Sequence, residues 1–149
     1  MAEIKGGAKL EAALNEIAAK LGKGGSVKVG FLKTATYPDG KPVAMIAAIQ
    51  DYGAPARNIP PRPFFRNMVA EKNKTWPKAV ELNLKATKYD VPSTLDRVGA
   101  GIAGQLRQSI IDTNSPPLAP ATVAAKGFAK PLVDTGHMLN SIDHQVETS

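Results

Sequence analysis

Two histidines, His137 and His144, are the chain's only imidazoles, and Asp134, Ser141 and Asp143 lie close to them. These residue types are the ingredients of nucleophilic or metal chemistry. A nucleophile, a base and an orienting group must converge in one pocket, and they ordinarily come from separate segments. No G-x-S-x-G or H-E-x-x-H string is present. A two-histidine metal site needs further carboxylates that only the fold could bring to it. The histidines therefore read as solvated or loop-capping side chains. No catalytic or metal-binding residue is assigned, and no enzyme is expected.

Gly99-Ala-Gly101-Ile-Ala-Gly104 has the spacing of a dinucleotide-binding loop. That loop works only between a strand and a helix N-terminus aimed at a pyrophosphate. The residues before it, Ser93-Thr-Leu-Asp-Arg-Val, read as helix already, so no cofactor is expected. The better reading is a helix face of small residues (Gly99, Ala100, Ala103, Gly104). Each glycine costs a helix about 1 kcal/mol against alanine. Close approach of a neighbour, in the same chain or another, gives a reason for them.

A third constellation is electrostatic. The net charge is +6, but residues 1–56 carry +2, 57–88 carry +6 and 89–149 carry −2. Arg57, Arg62, Arg66, Lys72, Lys74 and Lys78 are interleaved with Phe64, Phe65 and Trp76. Basic and aromatic residues together can clamp single-stranded nucleic acid. The plainer reading is an amphipathic helix with aromatics inside, and a protein interface stands between the two. The chain has no cysteine, which removes disulfides, thiol catalysis and cysteine zinc sites. Asn73-Lys-Thr75 fits a glycosylation sequon, but the N-terminus lacks the layout of a secretion signal. The longest apolar run, Val43 to Ile49, is too short for a bilayer. A soluble protein made in the cytoplasm is expected, with no membrane partner.

The elements that must position these residues follow from periodicity. Leu10, Leu14, Ile17 and Leu21 mark one face of an N-terminal helix that ends at Gly22. Ser26 to Leu32 alternates as a half-buried strand. Tyr37-Pro-Asp-Gly40 is a turn. Pro42 opens a short helix to about Gln50, and Gly53 to Pro61 is a loop. A helix starts at Pro63, is broken or kinked by Pro77, and continues to Lys88. Ser93 caps another helix, with Asp96 completing a capping box, and its stripe is Leu95, Val98, Ile102, Leu106 and Ile110. Residues 112–131 read as an extended Pro-rich loop or arm, with one helical turn at Thr122 to Lys126. Leu132 to Val146 reads as a turn, a helical turn and a terminal strand. The 149 residues suit one domain.

Ile59-Pro-Pro-Arg-Pro-Phe-Phe-Arg66 is the most unusual string. Its prolines force an extended approach before the helix, and its arginines offer bidentate donors for carboxylates. Together with Val27-Lys-Val-Gly-Phe31 and Ala47-Ala-Ile-Gln-Asp-Tyr-Gly53, it resembles the small virion-morphogenesis proteins of tailed bacteriophages. These are neck, tail-completion or tail-component proteins. Pro116-Pro-Leu118, Thr122, Lys126 and Pro131-Leu-Val-Asp-Thr-Gly-His-Met-Leu139 with Ser141-Ile142 are similar to that group's other signature. Two departures are visible. The Thr-Gly element follows the Pro-Phe element instead of preceding it, and Asp51 stands where a Glu is common.

The resemblance implies an α+β fold: a small antiparallel sheet packed against two long helices plus an N-terminal helix. It implies a structural protein of the virion at the neck or tail end, assembling as a ring, most simply a hexamer, beside neighbouring neck or tail proteins. A tail terminator of the same region and a basic nucleic-acid-binding module are the alternatives. DNA passing through such a ring would meet some basic residues without sequence recognition. Neither cofactors nor catalytic residues are implied. The expected subunit interface comprises Arg57, Pro61, Arg62, Phe64, Phe65, Arg66, Gly99, Ala103, Leu118 and Leu132.

Overall fold

The computed structural model describes residues 6–113 and 136–149. Leu118, Leu132, Asp134 and all but the first two residues of the expected 112–131 arm lie outside them. The fold is α+β. In chain order it runs α1 (Gly7–Leu21), β1 (Ser26–Phe31), α2 (Val43–Tyr52), α3 (Phe64–Lys72), α4 (Trp76–Ala86), α5 (Val91–Asp112), α6 (His137–Asn140) and β2 (Ile142–Glu147).

β1 and β2 pair antiparallel, from Ser26 opposite Glu147 to Phe31 opposite Ile142. One face of this ribbon lies on α5, which also receives α3 and α4. The core joins Val43 and Ala47 of α2, Phe64 and Met68 of α3, and Ala103, Leu106 and Ile110 of α5 to Met138 and Ile142. The alternation of Val27, Val29 and Phe31 is inward, as expected for a half-buried strand. The Tyr37–Gly40 turn closes with the Gly40 amide on the Tyr37 carbonyl at 2.8 Å.

Several helix ends differ from the sequence expectation, each for a local reason. Pro63 is the residue before α3, and the helix proper begins at Phe64. Pro77 breaks nothing, because the interruption lies earlier, in a 3₁₀ turn at Asn73–Thr75. Pro77 then sits in the first turn of α4, where its missing N–H has no cost. α5 begins two residues before Ser93. Its cap is Asp90, whose carboxylate accepts from the Ser93 amide at 3.0 Å, while Pro92 occupies the first turn. Asp96 is thus no part of a capping box.

α1 departs further. Its apolar stripe forms as a helix face, yet no residue of α1 is buried and none joins the core. Only its last turns touch the rest, where Lys20 Nζ donates to the Lys88 carbonyl at 3.4 Å.

Candidate interaction surface

The resemblance strings at 47–53 and 59–66 fold onto each other as one corner between α2 and α3. Gly53 makes the reversal possible. It sits at φ 77°, and a Cβ there would stand 2.8 Å from the Pro61 nitrogen and 2.9 Å from the Ile59 oxygen. Ala54 and Ile59 then exchange backbone bonds of 2.8 and 3.1 Å around a 3₁₀ turn at Pro55–Arg57. The Arg62 amide returns to the Gln50 carbonyl at 2.8 Å.

Asp51 clamps this corner. Its carboxylate is 3% exposed and accepts from the Phe65 amide at 2.9 Å and from Arg66 Nε at 2.7 Å. Arg66 Nη2 also donates to the Asp51 carbonyl at 2.7 Å. The guanidinium lies 4.5 Å from the centre of the Tyr52 ring. Asp51 therefore caps the N-terminus of α3 from the C-terminal turn of α2, where its negative charge meets the helix dipole. Nothing in the local sequence marks this role, since donor and acceptor lie 14 residues apart.

The expected interface residues divide at this corner. Arg57 and Pro61 are exposed. Arg66 is half-exposed and held by Asp51. Phe65 is half-buried, and Phe64 is inside, edge-on to Phe31 at 6.4 Å between centroids. Arg62 is buried, with Nη1 3.4 Å from Gln50 Oε1. Burial pushes the pKa of its guanidinium below the ordinary value. Gly99 and Ala103 also lie inside. The neighbour that Gly99 admits is the chain's own ribbon, because a Cβ there would stand 2.7 Å from both His144 Cδ2 and Val27 Cγ2. Ala100, Gly101 and Gly104, on the other side of α5, are exposed.

The glycine triplet at 99–104 is wholly inside α5, with no strand before it, so it offers no phosphate loop. The histidines are apart in role. His137 Nε2 is 2.8 Å from the Thr36 carbonyl, and its ring lies against Tyr37. His144 Nε2 is 2.7 Å from Asp96 Oδ1, joining β2 to α5. Ser141 Oγ donates to the His137 carbonyl, not to an imidazole nitrogen. Among the described residues, no group of three or more histidine and carboxylate side chains is placed to hold a metal ion.

One surface feature is absent from the expected set. α2 contains a single charged residue, Asp51, which faces inward. Its outer face is Ala44, Met45, Ala48 and Tyr52, all exposed. The signal was available in Val43-Ala-Met-Ile-Ala-Ala-Ile-Gln-Asp-Tyr52, a segment too apolar for a helix with one face in water. No helix of the described residues is long and apolar enough to cross a membrane. No family model matches the chain, and no curated protein or solved structure is detectably similar to it.

Proposed function

We propose that this chain is a structural subunit of the neck or tail end of a tailed-bacteriophage virion. In this reading it is a tail-completion or head–tail joining protein that assembles as a ring, a hexamer in the simplest case. It is made in the host cytoplasm and carried in the virion. One observation carries the reading: the two resemblance strings form a single clamped corner around Asp51 and Arg66. Its outer surface presents Arg57, Pro60 and Pro61. A corner of rigid backbone with solvent-facing prolines suits docking, since little backbone freedom is lost on contact. The chemistry of the titratable groups adds support, because each histidine is engaged in joining elements of the fold.

The partners are then other copies of this chain and the neighbouring neck or tail proteins. Immunolabelled electron microscopy of purified particles tests the reading, and label at the head–tail junction or tail end is the expected result. A protein confined to the lysate and missing from particles refutes it. Arg57→Glu leaves the clamp intact and reverses the exposed charge. Particles carrying it should join heads to tails poorly, and normal joining removes the docking role of the corner.

A further inference from the structure

Arg107 lies half-buried on α5. Its Nε donates to the Leu139 carbonyl at 3.3 Å and its Nη2 to the Ile142 carbonyl at 2.6 Å. These bonds fix the side edge of the guanidinium, but carbonyl oxygens do not neutralise its charge. Among the described residues no carboxylate pairs with it. Nη1 and the second hydrogen of Nη2 remain, and together they form the end of the guanidinium fork. A half-buried cation held in one place without a counter-ion favours an anion beside it. The guanidinium borders an open pocket of about 570 Å³, which Thr34, Thr36, His137, Asn140 and Asp143 also line. The loop that carries the two threonines is pinned on both sides. The Val43 amide donates to the Ala35 carbonyl at 3.0 Å, and His137 Nε2 donates to the Thr36 carbonyl at 2.8 Å. The Thr34 and Thr36 hydroxyls form no hydrogen bond among the described residues.

We propose that this pocket binds a phosphate group, with Arg107 as its charged anchor and the Thr34 and Thr36 hydroxyls as further donors. The inference does not rest on the neck reading. A carboxylate is satisfied by one fork in its own plane, whereas a tetrahedral phosphate presents oxygens to donors on several walls at once. Donors here stand on α5 and on the loop before α2, and Asn140 adds an amide from α6. Their bonds to the backbone hold Arg107 and the loop in place before any ligand arrives, so little freedom is lost on binding. Asp143 opposes the anion. Its Oδ1 accepts from the His144 amide at 2.8 Å and lies 3.8 Å from His144 Nδ1, so its nearest partners are on the His144 side. Its charge still weakens an anion in the same pocket, which supplies a test that a purely structural Arg107 would not pass.

The full chain, isotope-labelled, is titrated with sodium phosphate at fixed pH and ionic strength and followed by NMR. Melting shifts would not serve, because phosphate salts stabilise folded proteins in general. The expected result is a saturable shift confined to Thr34, Thr36, Asn140 and the Arg107 side chain, with a Kd on the order of 1 mM for one cation in an open site. Arg107→Gln should weaken binding by about 10-fold or more, since the charge-assisted fork is lost. Asp143→Asn keeps an acceptor for the His144 amide and should tighten binding by about 2-fold or more. Thr34→Val with Thr36→Val leaves both Arg107 bonds in place, so it decides the matter together with Asp143→Asn if Arg107→Gln fails to fold. Glycerol phosphate is titrated beside inorganic phosphate, and the tighter of the two tells whether the site takes a monoester or the free ion. The proposal is overturned if no shift saturates, if shifts spread over the surface cations, or if acetate binds as tightly as phosphate. Binding indifferent to both Arg107→Gln and Asp143→Asn overturns it as well.

Discussion

Substituting Asp51 by alanine removes the one carboxylate that both caps α3 and holds Arg66. The cap is worth about 1 kcal/mol, with a range of about 0.5–2. The bond to Arg66 Nε is charge-assisted, but that side chain is 47% exposed, so solvent screening reduces it to about 0.5–1 kcal/mol. Asp51→Ala should therefore cost about 1–3 kcal/mol, and at about 2–4 °C per kcal/mol for a chain of this size the melting midpoint should fall by about 2–12 °C. Asp51→Asn keeps an acceptor for the Phe65 amide and loses the charge, so it should cost about 1 kcal/mol or less. The assay is urea and thermal unfolding followed by helical circular dichroism. A double-mutant cycle with Arg66→Ala should return a coupling of at least about 0.5 kcal/mol, because the two side chains touch. Asp51→Ala melting within about 2 °C of the wild type would refute the clamp. So would strictly additive effects of the two substitutions. Equal losses for alanine and asparagine would show that charge, not the cap, holds the corner.

Gly99→Ala should destabilise by about 1 kcal/mol net, since overpacking at 2.7 Å against His144 and Val27 costs about 1–3 kcal/mol and helix propensity returns about 1. Gly104→Ala meets open space and should gain up to about 1 kcal/mol, so equal signs in urea titrations would refute the assignment of the two faces of α5. Hydrogen bonding from Ser93 holds the Asp90 pKa below its ordinary 3.8, so its stabilisation is present above that value and is lost as pH falls through the lower folded pKa. Asp90→Asn should flatten the acid limb of stability against pH, and an unchanged limb would count against the cap. Nucleic acid held only through Arg57, Lys72, Lys74 and Lys88 should show a log–log salt slope no steeper than about −4 by fluorescence anisotropy. Tight binding with a steeper slope would make nucleic acid the ligand.

What could be read from the chain and what could not divide along physical lines. The alternation at Val27, Val29 and Phe31 and the stripe through Val98, Leu106 and Ile110 are local signals of which side is apolar. Both sides turned inward. The same signal at Leu10, Leu14 and Leu21 identified a face correctly but could not say whether this chain covers it. Thr94 was hidden for another reason. It is 1% exposed because its hydroxyl is bonded to the Asp90 carbonyl at 2.8 Å and to Thr87 Oγ1 at 2.7 Å. A satisfied buried hydroxyl leaves no mark in a hydrophobic pattern. Both Asp90 and Ser93 are good capping types, and Pro92, favoured in the first helical turn, decides for Asp90. Asp51 reaches across a loop to its helix, a contact created by folding.

The basic stretch 57–88 changes meaning once its partners are placed. Arg62 is buried against Gln50, Arg66 is held by Asp51, and Lys78 and Lys85 both bond Glu81. Half of its cations thus bond within the chain, and Arg57, Lys72, Lys74 and Lys88 are exposed without such a bond among the described residues. The aromatics among them are committed as well. Phe64 is in the core, Phe65 borders a cleft beside α2, and Trp76 Nε1 donates to Gln105 at 2.9 Å. A single-strand binder needs ring faces open beside its cations, and these rings serve the body of the protein. Surface cations without stacking platforms beside them are a weak basis for holding single-stranded bases.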